Sequence, residues 1–306
     1  MQSRPFRSLL FVPATKPDWF RKAAESQADA IIIDLEDAVA EREKGAAREF
    51  AARGIAEISE SGKGTFVRIN PLTSTHWLED LRAVVQPQLT GIAVPKVESP
   101  ADIECVAHVL DALEAATGLA SQAIDIQPLL ETARSMIAAH AILSASPRIH
   151  SYFGGSARDG DVNRELGSRW RPDGHETLFI RSHLLLQGRA AGVPFPVSGT
   201  WTEIADLQGL TRLAQESRDL GYAGMYVIHP THIDAVNAAF TPTAEELDRY
   251  RAIISAYAAA ERDGHGTATM SGSLIDKAML DRAQAVLGVA QLTEVSQEGK
   301  ANCGGE

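Results

Sequence analysis

The sequence predicts a closed (β/α)8 barrel of the TIM type with a C-terminal helical extension. Eight short apolar runs recur along the 306 residues. Helix-length stretches separate them, which is the alternation of a parallel sheet. Several runs end in a charged or polar residue, and in such barrels the C-terminal strand ends are where chemistry sits. Those ends carry Glu36, Asp37, Arg68, Asn70, Lys96, Glu131 and His229.

The expected strands are SLLFVP (8–13), AIIIDLED (30–37), TFVRIN (65–70), GIAVPK (91–96), DIQPLLE (125–131), HSYFGG (150–155), VSGTW (197–201) and GMYVIHP (224–230). Between them, 17–29 opens with Pro and Asp in a first helical turn. Residues 41–60 are rich in Ala, Glu, Arg and Lys and stop at Gly62 and Gly64. In 99–118, Ser99 is a cap, Pro100 follows, and Gly118 is the stop. Residues 132–146, 178–192 and 207–221 also read as helices. The stretch 156–177 is rich in Arg, Gly and Asp and is expected as an ordered loop over the barrel mouth. A barrel of about 250 residues would fill 1–240. Residues 241–290 would form a helical arm or lid. Within it, 243–262 is a helix with a Thr243/Glu246 capping box, GHGTATMSG (264–272) is a flexible hinge, and 274–288 is a second helix. Residues 291–306 read as a loose tail.

Bulk properties narrow the function. The net charge of −11 argues against nucleic acid, whose phosphates need a basic face. An apolar share of 44% is that of a globular domain. Cys105 and Cys303 show no metal-like spacing, which favours a reducing compartment. The first residues lack a signal-peptide apolar core, and no run is long enough for a membrane span. A cytoplasmic protein is expected.

Glu131 ends one strand, and Asp159 and Asp161 follow the next; carboxylates so placed can share a hard cation such as Mg²⁺. The plainer alternative is a helix cap and two solvated loop charges. Arg68 either pairs with Glu36 or Asp37, or grips a substrate carboxylate with its planar fork. Lys96, after Val-Pro, is either catalytic, anion-binding, or paired with a strand-end acid. Asp34 and Glu36 fall on one face of their strand, Leu35 and Asp37 on the other. Lys16 and Arg21, with Arg7, either hold phosphates or are ordinary surface cations. His229 either meets substrate or is a hydrogen-bonding core histidine. The histidines form no zinc-like cluster, and no phosphate-loop or nucleophile-elbow motif is present.

Taken together, RSLLFVP (7–13), ADAIIIDLEDAV (28–39), VRIN (67–70), VPKVE (94–98), PLLET (128–132), FGG with DVNRELG (153–167), GRAAGVP (188–194) and GYAGMYVIHP (221–230) resemble the citrate lyase β-subunit-like family, which includes malyl-CoA and citramalyl-CoA lyases. The resemblance implies a Mg²⁺-dependent barrel enzyme that makes or breaks a C–C bond in a 3-hydroxyacyl-CoA thioester. The second product would be a small keto acid: glyoxylate, pyruvate or oxaloacetate. It implies metal ligation by Glu131 and by Asp161 or Asp159, and keto-acid binding by Arg68. CoA contacts would come from Lys16 and Arg21. It also implies that Asp276, in GSLID, reaches a neighbouring subunit's site, in a homo-oligomer such as a trimer or hexamer. Three departures stand out. Pro13-Ala14 replaces the family's Pro-Gly, the loop FGGSARDGD is longer than usual, and IHPTH places His232 where the family has Gln. Asp161 keeps the family spacing to Leu166-Gly167 and is preferred to Asp159. The alternatives are a Mg²⁺-dependent aldolase acting on free hydroxy-keto acids, and a subunit that needs an acyl carrier protein partner.

Overall fold

The computed structural model describes residues 4–302. Eight parallel strands form a nearly closed barrel: β1 (Ser8–Pro13), β2 (Ala30–Asp34), β3 (Gly64–Arg68), β4 (Gly91–Val94), β5 (Asp125–Pro128), β6 (Ser151–Phe153), β7 (Phe195–Ser198) and β8 (Gly224–Val227). Their order is β5-β4-β3-β2-β1-β8-β7-β6, and a parallel bridge from Leu129 to Phe153 joins the two remaining edges. Every expected strand is present. Most end a few residues early, because the polar residue that closes each run has already left the ladder.

The helices around the barrel are α1 (Asp18–Glu25), α2 (Lys44–Ser59), α3 (Trp77–Val84), α4 (Pro100–Thr117), α5 (Ala133–Ile137), α6 (Ala139–Leu143), α7 (Asp161–Leu166), α8 (Leu178–Ala190), α9 (Leu207–Leu220) and α10 (Ile233–Phe240). Ser99 and Asp102 form a capping box at the start of α4, and Gly118 ends that helix at φ +72°, the left-handed stop that glycine supplies without steric cost. The expected helix over 132–146 is two short ones that part at Ala138. The loop over 156–177 holds α7.

Two apolar layers hold the barrel. Leu9, Ala30, Ile32, Phe66, Ala93, Leu129, Phe153, Val197 and Tyr226 fill its interior. Leu10, Ile31, Ile33, Val67 and Ile92 face the helices, meeting Ile55, Val106 and Leu210 among others. Each fully buried isoleucine contributes about 1.5–3 kcal/mol by leaving water. Two glycines tighten the mouth: a Cβ on Gly199 would collide with the Ser156 backbone, and one on Gly155 with that of Gly199. The loops after β6 and β7 therefore lie back to back.

Residues from Thr241 onward form a separate unit. It contains α11 (Ala244–Arg262), β9 (Ala268–Met270), β10 (Ser273–Ile275) and α12 (Lys277–Asn302). The Thr243/Glu246 capping box opens α11. Two expectations need correction here. Instead of a flexible hinge, 264–272 contains β9 and the turn of an antiparallel hairpin. Ser271 and Gly272 turn it at φ +52° and +80°, the two left-handed residues a tight hairpin needs. Ile253, Ile275 and Ala283 pack beneath it. The loose tail expected from about 290 is also displaced, since α12 continues to Asn302. Cys303 lies outside the described residues, and Cys105 is an exposed free thiol.

Candidate active site

Strand parity builds the site. On β2, Ala30 and Ile32 point into the barrel and Ile31 and Ile33 point out, so the next inward position is Asp34. On β3 the same count runs from Phe66 to Arg68. The register makes Asp34 and Arg68 direct neighbours. Arg68 donates from Nε to Asp34 Oδ1 at 2.7 Å and from Nη2 to Oδ2 at 2.8 Å. Its Nη1 lies 3.0 Å from Glu36 Oε2, and its guanidinium sits 4.9 Å from the centre of the Phe11 ring. These contacts engage at most three of its five N–H donors.

The turn after β2 wraps around the same charges. Asp34 accepts from the backbone N–H groups of Glu36 and Ala38. Burial works against its charge, but Arg68 and these N–H groups hold it below the usual carboxylate range. Glu36 is pushed the other way by burial, which the charges of Arg68 and Lys96 only partly offset. Glu36 Oε1 accepts from Lys96 Nζ at 2.5 Å. Arg68 would lose basicity through burial, but Asp34 and Glu36 hold it more firmly protonated than usual.

Lys96 has φ +51°, a left-handed conformation that is strained for a side chain larger than glycine. In that conformation its backbone N–H donates to Glu131 Oε1 at 2.9 Å while its ammonium reaches Glu36. One residue thus links two acids. Glu131 is 5% exposed. Burial, then the nearby charges of Glu36 and Asp161, push its carboxyl up to about 8.

Two cavities meet at this acid. One of about 480 Å³ is lined by Phe11, Trp19, Asp37, Arg68, Phe153 and Tyr226 among others. The other, about 400 Å³, is lined by Lys96, Arg134 and Arg164 among others. Glu131 and Asp161 line both. Asp161 is the first residue of α7 and is engaged by Arg164. Among the described residues no group of three or more His, Cys, Asp or Glu converges as a metal site. Two carboxylates opening on a cavity with room for water and ligand oxygens nevertheless suit Mg²⁺, which commonly takes one or two protein carboxylates. Crowded negative charge with Arg68 already committed to Asp34 is a further reason for a cation there.

The other expected residues divide. Asp37 is 60% exposed at its side chain, lines the larger cavity and lies 3.6 Å from Lys96 Nζ. Lys16 is exposed near Trp19 at the rim. Arg21 pairs with Glu25 and lines a different cavity, on the flank between α1 and α2. His229 is half-buried, not a core residue; its Nδ1 meets Thr231, and it lines a small apolar cavity with Trp19 and Ile228. Asp159 has φ +54°; its carboxylate is paired with Arg158 and lines neither of the two cavities. Asp276 lies in the second unit, where it accepts from the Met279 N–H. Arg7 requires correction. It precedes β1, at the opposite pole from the mouth, and forks onto Asp29 through Nε and Nη2 at 2.8 and 2.9 Å. It cannot join Lys16 at a phosphate. The departure at His232 is buried, its ring facing the Ile204 carbonyl. Sequence reasoning did not single out Asp34 as the main partner of Arg68, nor Phe11 and Tyr226 as cavity walls. Strand parity was the available signal for all three.

The family model for HpcH/HpaI aldolase/citrate lyase matches residues 7–230. The chain belongs to this family. It is accordingly a carbon–carbon lyase of the citrate lyase β-like kind. A (3S)-malyl-CoA thioesterase of Cereibacter sphaeroides is 33% identical over 293 residues, covering 95% of this chain and 96% of its own. The citrate lyase subunit beta of Haemophilus influenzae is 32% identical, covering 92% and 95%. The protein CitE of Mycobacterium tuberculosis, in complex with magnesium, acetoacetate and coenzyme A, has a TM-score of 0.73 at 30% identity, covering 95% of this chain and 99% of its own. Among the described residues no helix is long and apolar enough to cross a membrane.

A pH prediction follows for this HpcH/HpaI family member. The folded Glu131 carboxyl holds its proton more tightly than an ordinary glutamate, about 8 against 4.5. Its contribution to stability is therefore complete below about pH 4.5 and is lost as pH rises towards 8. Metal-free protein should show this loss in its melting temperature, and Glu131→Gln should flatten it. Equal pH slopes in the two proteins would contradict the assignment.

Proposed function

We propose that the chain is a Mg²⁺-dependent lyase acting on a 3-hydroxyacyl-CoA thioester of the malyl, citramalyl or citryl type, releasing an acyl-CoA and a keto acid or condensing them in reverse. The observation that carries this is the meeting of two cavities at Glu131 and Asp161, with Arg68 clamped at the wall of one. Magnesium in complexes of the Mycobacterium protein supports it, with acetoacetate and coenzyme A in one and pyruvate in another. Glu131 and Asp161 would hold the ion, which would supply Lewis acidity to the hydroxyl and carboxylate oxygens of the acid half.

The chain's own residues do the rest. Arg68, fixed by its two hydrogen bonds to Asp34, directs its remaining N–H groups at the same oxygens and needs no reorganisation to do so. Asp37, the exposed acid of the larger cavity, accepts the hydroxyl proton. The electrons of the O–H bond form the keto acid's C=O bond, and those of the C–C bond pass to the thioester as its enolate. A carboxylic acid, for which Asp276 of a neighbouring subunit is the candidate, then gives its own proton to the enolate carbon, and proton exchange with solvent restores both it and Asp37. The apolar and aromatic wall of Phe11, Trp19, Phe153 and Tyr226 limits water while the enolate exists. Lys16 at the rim is the candidate for a CoA phosphate. A thermal-shift panel of CoA esters, glyoxylate, pyruvate and oxaloacetate, each with and without Mg²⁺, tests the reading. Stabilisation by thioester and keto acid that depends on Mg²⁺ is expected, and none with any of them would refute it.

The oligomer makes its own prediction. Asp276→Ala and Glu131→Ala chains should each be inactive, and subunits exchanged between them should regain part of the wild-type rate. Recovery requires sites that draw an intact residue from each parent. No recovery in chains shown to exchange would remove Asp276 from the neighbour's site.

A further inference from the structure

Lys44 opens α2 and is 8% exposed. That is a poor place for a lysine on grounds of stability. The start of a helix carries partial positive charge, burial disfavours an ammonium, and a long flexible side chain must be ordered. Its two described hydrogen bonds go to main-chain carbonyls, from Nζ to Leu35 O at 2.7 Å and to Glu36 O at 2.8 Å. Those carbonyls belong to the turn that carries the site's acids. Asn70 secures the same turn, donating from Nδ2 to Leu35 O at 3.1 Å and to the buried Asp80 at 2.7 Å. Arg48 in turn holds Asp80 at 2.7 Å.

On the far side of the turn, Glu36 points into the site. One oxygen takes the Lys96 ammonium and the other lies beside Arg68, with no aligned hydrogen bond to it. The Lys96 ammonium and the backbone of the turn therefore hold this carboxylate in place more than Arg68 does. We propose that Lys44 is a positioning residue for the active site: by clamping the Leu35 and Glu36 carbonyls it fixes the turn from which Glu36 receives the Lys96 ammonium and lies against Arg68. This rests on the lyase reading of the site. It gives a physical reason for a desolvated cation on a helix start that lines neither of the two cavities meeting at Glu131.

The test compares wild type with Lys44→Met, which keeps the aliphatic stem and loses the donors, and Lys44→Gln, which keeps an amide donor. For thioester cleavage, kcat of Lys44→Met should fall about ten- to a hundredfold, with KM for the CoA ester changed by less than about threefold, since the CoA contacts lie elsewhere. Lys44→Gln should recover part of the loss. The melting temperature should shift by no more than about 5 °C. A merely structural lysine would give the opposite pattern, with a large loss of melting temperature and kcat within about twofold, and that result overturns the proposal. A crystal structure of Lys44→Met separates this idea from the lyase reading. If wild type cleaves no thioester, the lyase reading fails, and a displaced 34–38 turn with a changed Glu36–Arg68 separation still supports the clamp. A turn superposable on wild type overturns it, whatever the activity. If Lys44→Met does not fold, the same measurements on Lys44→Gln decide.

Discussion

Glu131→Gln should reduce thioester cleavage by about a thousandfold or more and abolish the stabilisation that Mg²⁺ gives. The amide keeps the shape of the carboxyl and can still accept the Lys96 N–H, so the fold is retained. What it removes is one of two carboxylates shared by both cavities. Losing a charge-stabilising group at the reacting oxygens commonly costs a hundred- to a thousandfold, and loss of the ion as well adds to that. Without metal, the variant should be the more stable protein near pH 8, because a neutral group replaces a buried negative charge among like charges. Steady-state rates and melting curves with and without Mg²⁺ check both halves. A variant still active and still stabilised by Mg²⁺ would move the metal elsewhere.

Arg68→Lys should cut kcat by about a hundredfold, through the loss of a planar fork that an ammonium cannot imitate. It should also destabilise the protein by about 1–3 kcal/mol, since Asp34 is 2% exposed and loses at least one of its two charge-assisted bonds. The stability loss is less than the 3–5 kcal/mol typical of breaking a buried pair outright, because a positive charge remains. Denaturant unfolding and kinetics separate the two effects. Wild-type rates in a destabilised variant would make Arg68 only the partner of Asp34.

Much of this site is legible in the sequence because strands alternate strictly. Once TFVRIN is a strand with Phe66 inside, Arg68 must face inward too, and DIQPLLE places Glu131 by the same count. Arg7 shows the limit of reasoning by proximity. It stands near Lys16 in the sequence, but β1 runs between them, and six strand residues span about 20 Å. Lys44 was hidden for another reason. In a stretch rich in Ala, Glu, Arg and Lys it looks like any solvated helix cation, and its burial is set by tertiary packing. The hairpin of β9 and β10 was hidden too, because the small residues of 264–272 read as flexible until Ile253 and Ile275 are seen packed together there. Parity cannot choose between Asp159 and Asp161, which follow the strand in an irregular loop. The start of α7 brings Asp161 to the cavities and leaves Asp159 outside.

One product analysis tests the central claim most directly. Purified chain would be incubated with malyl-CoA and with citramalyl-CoA, in Mg²⁺ and in EDTA, and the CoA species and acids separated by mass. Cleavage between carbons predicts acetyl-CoA together with glyoxylate or pyruvate in equal amounts, only in Mg²⁺. Release of free CoA with intact malate or citramalate, and no acetyl-CoA, would make the site hydrolytic and contradict the lyase mechanism.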